Sequence, residues 1–159
     1  MLRSSLRKAL VIAATGALVA VGLPVTALAA SADNVIYTHL NGAHEVPGPG
    51  DPNGHGDFSA VLTKTGMCYA FSVGQMGKPM MAHIHVGAPD VAGPVIVTLQ
   101  LPTKAGITEC LTAVPDADDT AVTLGVSELA ALKHIPSSYY VNVHSDAYPS
   151  GAIRGQLAK

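Results

Sequence analysis

Hydrophobic and polar positions divide the chain into one long apolar run and a series of short alternating segments. Residues 9–23 are apolar almost throughout. Beyond them apolar and polar side chains alternate at period two, the spacing of a strand that buries one face. Such segments fall at residues 35–40, 57–64, 67–73, 82–86, 95–101, 121–124, 139–144 and 152–157. Gly- and Pro-rich stretches punctuate them: a loop over residues 41–56, a hairpin turn at Thr65-Gly66 and a second turn-rich stretch over residues 87–94. One segment has helical spacing instead. Ser127 is placed to cap a helix over residues 128–134, Pro136 stops it, and Leu129, Leu132 and Ile135 would pack on a sheet. The pattern predicts an all-β fold, a Greek-key or immunoglobulin-like β-sandwich of about eight strands with one short helix. There is no internal repeat and no long linker, and the acidic stretch 116–119 reads as a solvated loop.

Composition changes the reading of the first apolar run. The chain has 159 residues, of which 48% are hydrophobic and 13% charged, and a mean hydropathy of +0.34 that would suit a membrane protein. Much of that excess lies at the N-terminus. Arg3, Arg7 and Lys8 precede the apolar run, Pro24 ends it, and Ala27-Leu28-Ala29 offers small residues for cleavage after Ala29 or Ala30. This is the layout of a signal peptide over residues 1–29, followed by one domain over residues 30–159. No later segment is long and apolar enough to span a bilayer, so no membrane insertion is expected after cleavage. The expected location is secreted or periplasmic. The leader holds three of the nine basic residues and none of the eleven acidic ones, so the formal charge moves from −2 to −5 on cleavage. That balance excludes a strongly basic nucleic-acid binder.

The chain has two cysteines, Cys68 and Cys110. In an oxidising compartment they read as one disulfide, worth roughly 4 kcal/mol by loop entropy before strain is subtracted. A thiolate metal site or a reactive cysteine is the alternative.

Seven histidines stand in this charge-poor chain. In Met80-Met81-Ala82-His83-Ile84-His85-Val86, strand alternation sends Ala82, Ile84 and Val86 to the core and His83 with His85 to the other face. In Tyr139-Tyr140-Val141-Asn142-Val143-His144 the same rule turns Tyr139, Val141 and Val143 inward and Tyr140, Asn142 and His144 outward. If the two strands are neighbours, His83, His85 and His144 converge. Neutral imidazoles on a rigid strand suit one transition-metal ion, copper or iron, at about 2.0–2.2 Å. The competing interpretation is three polar residues on a solvated sheet face. His44 is the first choice for a fourth ligand, ahead of His39 and His55 in or near the Gly/Pro-rich loop. His134 suits the helix C-terminus as an end charge. Met76, Met80 and Met81 could offer soft thioethers to Cu(I), although gap-filling in the core is their commoner use. Residues 50–57 look superficially like a calcium loop, but Leu62 stands where a bidentate Glu is needed, and a turn is the better reading. Neither a G-x-S-x-G elbow nor a phosphate-binding Gly-rich loop is present.

Several of these segments together resemble a known family. In order they are Leu40-Asn41-Gly42 with Glu45-Val46-Pro47, Gly50-Asp51-Pro52-Asn53-Gly54, Cys68-Tyr69, Ala82-His83-Ile84-His85-Val86-Gly87-Ala88, Gly93-Pro94-Val95, residues 139–144, and Gly151-Ala152-Ile153-Arg154-Gly155-Gln156-Leu157. The series is similar to the bacterial form of the chordin-type (CHRD) domain. The resemblance implies an exported immunoglobulin-like sandwich, and His83, His85, His144 and Arg154 fall on its motifs whereas His44 does not. Animal chordins carry such domains in an extracellular antagonist of growth factors. The H-x-H strand, the later Val-His pair and the Arg near the C-terminus are also similar to copper–zinc superoxide dismutase. That likeness implies that Arg154 would steer and hold superoxide as a catalytic residue. Residues 87–133 contain no histidine, so a zinc-binding loop is missing and only a single metal could be held. The expected function is an extracytoplasmic binding module with one copper or iron ion and an unknown protein or small-molecule partner. The alternatives are a dismutase-like metalloenzyme and a structural or adhesive protein without metal.

Overall fold

A computed structural model describes residues 34–159; the leader expected at residues 1–29 lies outside the described residues. Eight strands follow in chain order: β1 Val35–Asn41, β2 His55–Leu62, β3 Gly66–Gly74, β4 Pro79–Val86, β5 Val95–Thr98, β6 Ile107–Thr112, β7 Tyr139–Ser145 and β8 Ile153–Gln156. One helix, α1 Val126–His134, lies between β6 and β7. The strands form one antiparallel sheet in the order β5-β4-β7-β8-β1-β2-β3-β6. The expected all-β, sandwich-like fold is found, built by curling this sheet on itself. Its two four-stranded halves meet at β8 and β1, joined by the Asn41–Arg154 pairing and a bridge from Tyr37 to Ala158. Ile36, Leu40, Phe58 and Phe71 from one half and Ala82, Ile84, Val141 and Val143 from the other belong to a single buried cluster. Burying these side chains against one another is the main force that closes the curl.

Alternation explains most of this. In β2 every second residue is buried, ending on Phe58, Ala60 and Leu62, and β1 buries Ile36, Thr38 and Leu40 in the same way. Two elements depart from expectation. Residues 121–124 form no strand, since they find no ladder partner and Val122 is 66% exposed. The eighth strand is β6, whose Ile-Thr-Glu-Cys-Leu-Thr sequence buries no residue fully. It is an edge strand held by pairing with β3, where Cys68 faces Cys110 directly and the two form a disulfide. The helix starts two residues earlier than a Ser127 cap would give. Gly125 is its N-cap, and the Glu128 carboxylate accepts the Gly125 N–H at 3.0 Å. Ser127 instead donates through its N–H and hydroxyl to Asp116, so the acidic stretch secures the helix start and is not simply solvated. Leu129 and Leu132 are buried, but Ile135 lies past the helix end and is 52% exposed.

β7 is the exception to alternation, for its residues from Tyr139 to Val143 are buried on both faces. Its inner face joins the core. Its outer face is covered by the strap of residues 87–94 and by side chains of β8.

Candidate metal centre

β4 and β7 pair in antiparallel register, with Met81 opposite His144, His83 opposite Asn142 and His85 opposite Tyr140. Opposed residues share a face, so one side of this ladder presents Met81, His83, His85, Tyr140, Asn142 and His144 together. The ring of His83 lies 5.5 Å from that of His85 and 5.2 Å from that of His144, centroid to centroid. One ring nitrogen from each of the three falls within 4.8 Å of the others. Among the described residues this is the one such group of His, Cys, Asp or Glu side chains.

The hydrogen bonds decide which nitrogens are free. His85 Nδ1 is 2.9 Å from the Gly93 carbonyl and His144 Nδ1 is 3.0 Å from the Pro149 carbonyl. A carbonyl only accepts, so each Nδ1 carries the proton and each Nε2 of the neutral ring keeps a lone pair. His144 Nε2 and His83 Nδ1 are buried and have no partner. His85 Nε2 lies 3.0 Å from the Asn142 amide oxygen. There lone pair faces lone pair, a contact that either a turned amide or a cation relieves. Burial pushes His83 down to about 4, and the neighbouring His144 and His85 push in the same direction. Burial also lowers His85, against the raising effect of its bonds to Gly93 and Asn142. His83 and His85 are therefore neutral donors at ordinary pH, the form in which imidazole binds metals.

A second layer holds His85. Its ring stacks on Tyr140 at 4.7 Å and 8°, and the Arg154 guanidinium lies 3.4 Å from the centre of the Tyr140 ring. Arg154 is 2% exposed and donates to the Ala88 and Val91 carbonyls of the strap at 2.8 and 3.0 Å. Gln156 donates to the Gly87 carbonyl, and the Gly93 N–H donates to the Tyr140 hydroxyl. The strap is thus seated on β7 and β8, and its Gly93 carbonyl sets the His85 tautomer. A side chain at Gly93 would run into the Val86 carbonyl, so only glycine lets the strap approach this closely. Arg154, to which the dismutase likeness gives a catalytic role, makes its contacts here with the strap carbonyls and the Tyr140 face.

Glu45 lies behind Arg154 and is 6% exposed. Burial pushes its carboxyl up to about 7 despite the opposing pull of Arg154, the Val46 N–H and Asn142. A side chain at Gly151, where φ is +141°, would overlap the Glu45 carboxylate.

The remaining candidates lie elsewhere. His44 is exposed and lines a separate depression with His39, Asp90 and the outer side of Arg154; it is not brought to the three-histidine group. His39 pairs with Asp57 at 2.9 Å on the surface, and His55 contacts the Asn53 carbonyl. Asp51 accepts the N–H groups of Asn53 and Gly54, which makes the calcium-like stretch a side-chain-capped turn. The alternation rule reached the three histidines and the outward set of Tyr140 and Asn142. It missed Glu45, Gly93 and Pro149, which act through burial and backbone carbonyls that leave no periodic signal.

The chain matches the CHRD domain family model over residues 36–157 and belongs to that family. No curated protein matches it, and neither does any solved structure; the likeness to copper–zinc superoxide dismutase therefore finds no support there. Among the described residues no helix is long and apolar enough to cross a membrane. The Cys68–Cys110 disulfide fits an oxidising compartment.

Proposed function

We propose that this CHRD domain is an exported binding module that holds one transition-metal ion, copper or iron, on His83, His85 and His144. The observation that carries the reading is the state of the ring nitrogens. Two Nδ1–H groups are tied to backbone carbonyls, which fixes the tautomers as outer-shell partners do in metal sites. Two other ring nitrogens, His83 Nδ1 and His144 Nε2, are buried without a partner, a state that costs about 1–3 kcal/mol per group unless something binds them. Export, with removal of residues 1–29, is supported by the basic-apolar-small pattern of the leader and by the disulfide.

The test is metal uptake by the purified exported protein, with bound metal counted after dialysis against Cu, Fe or Zn salts. One ion per chain in the wild type, lost in His83→Ala and in His144→Ala, is the expected result. Absence of uptake would overturn the reading and leave a structural or adhesive module. Superoxide loss measured on the same loaded samples separates an enzyme from a binder.

A further inference from the structure

We propose that the centre takes copper as Cu(I) and that the Met81 thioether completes its ligand set. The proposal rests on the three-histidine reading and adds to it a ligand and an oxidation state. The β4–β7 ladder shifts register between Pro79 and Met81, which makes Met80 the extra residue of a bulge. Pairing resumes with Met81 directly opposite His144. Opposed residues carry their Cβ atoms about 4.5–5.5 Å apart on one face. Met81 thus stands opposite His144 and two residues before His83, on the face that carries the three rings. Its three rotatable bonds give the sulfur the reach to turn toward them.

Core packing does not account for this side chain. Met67 is buried and Met76 packs against the core, whereas Met80 and Met81 are 50% and 46% exposed, and of these two Met81 is the one in register with the histidines. The donor set then narrows the choice of metal. The cluster contains three histidines and neither carboxylate nor thiolate. Glu45, the buried acid near Arg154, lies outside the group, and both cysteines are in the disulfide. Hard ions such as Mg²⁺ and Ca²⁺ require oxygen ligands, and the common non-haem Fe(II) site includes a carboxylate. Neutral imidazoles with a thioether suit monovalent copper.

The experiment is competition for Cu(I) against a chromophoric chelator under anaerobic ascorbate, run beside Zn(II) competition on the same samples. Met81→Leu should weaken Cu(I) by about tenfold or more, while Zn(II) changes by less than about twofold. Met80→Leu, which alters the bulge residue, should leave both unchanged. X-ray absorption of the Cu(I)-loaded wild type should show a sulfur neighbour that Met81→Leu lacks; with both cysteines oxidised, that sulfur can come only from methionine. Unchanged Cu(I) affinity in Met81→Leu, or a wild-type spectrum without sulfur, would overturn the proposal. If His83→Ala still abolished uptake in that case, the three-histidine centre would stand without Met81. Failure of the wild type to take up any metal would remove both readings together.

Discussion

At Arg154 one buried guanidinium holds two strap carbonyls and the face of Tyr140, and it offsets the charge of Glu45. Arg154→Lys keeps the charge and loses the fork, so the strap should loosen. Because outer-shell partners of a ligand are worth about 10–100-fold in affinity, metal binding should weaken by roughly tenfold through His85 alone. Competition titration would show it; unchanged affinity would mean that the strap does not govern His85. Glu45 gives a pH signature. In the folded metal-free protein it keeps its proton up to about 7, whereas an unfolded chain releases it near 4.5. Its contribution to stability is whole below pH 4.5 and is lost as pH rises through 7, because the unfolded state binds fewer protons over that range. His83 acts in the opposite sense. The unfolded ring takes a proton near 6.5 and the folded one only near 4, so its contribution is whole above 6.5 and lost as pH falls toward 4. Comparing wild type with Glu45→Gln cancels the His83 effect. The stability of the wild type relative to this variant, from urea midpoints between pH 4.5 and 8, should decline steadily with pH.

Pairing of elements turned two sequence segments into a site. Alternation assigned His83, His85 and His144 to outer faces, but it could not say that β4 and β7 are neighbours, since their pairing joins residues about sixty positions apart in the chain. Alternation also suggested a wet outer face, whereas the strap covers His85 and Tyr140, which are 8% and 3% exposed. That covering is a long-range event built on Arg154, Gln156 and Tyr140, and a local pattern carries no trace of it. The strap is the place to test the element. Gly93→Ala would force the new methyl into the Val86 carbonyl and should destabilise the fold by about 1–3 kcal/mol, the usual cost of overpacking. Denaturant unfolding reads that loss. Ring resonances of His85 should shift at the same time, since its Nδ1 partner is the carbonyl that moves. The swap of residues 121–124 for β6 has a similar origin. An alternating Ala-Val-Thr-Leu run looked like a strand but met no partner, whereas the polar β6 is a strand because β3 pairs with it.

Across the whole molecule, the disulfide and the histidine cluster sit in different halves of the curled sheet. Cys68–Cys110 fastens the edge strand β6 to β3, while the cluster spans β4 and β7 next to the opposite edge. Replacing both cysteines by serine should therefore cost about 2–4 kcal/mol and lower hydrogen-exchange protection chiefly in β6. Metal affinity at saturating folded protein should stay unchanged. A parallel loss of metal binding would show that the shared core couples β3 and β6 to the histidine strands.

The all-β class, most of the strand positions, the inward and outward faces, the candidate staple and the three histidines are all legible along the chain. Those features are local or periodic, so they are written in residue order and in the period-two pattern of burial. Folding in three dimensions settles which strands are neighbours, that the outer face of β7 is covered, that His44 stays apart, and that Arg154 is buried against the strap. These depend on contacts between residues far apart in the chain, where packing and hydrogen-bond satisfaction choose among partners that alternation alone treats as equal.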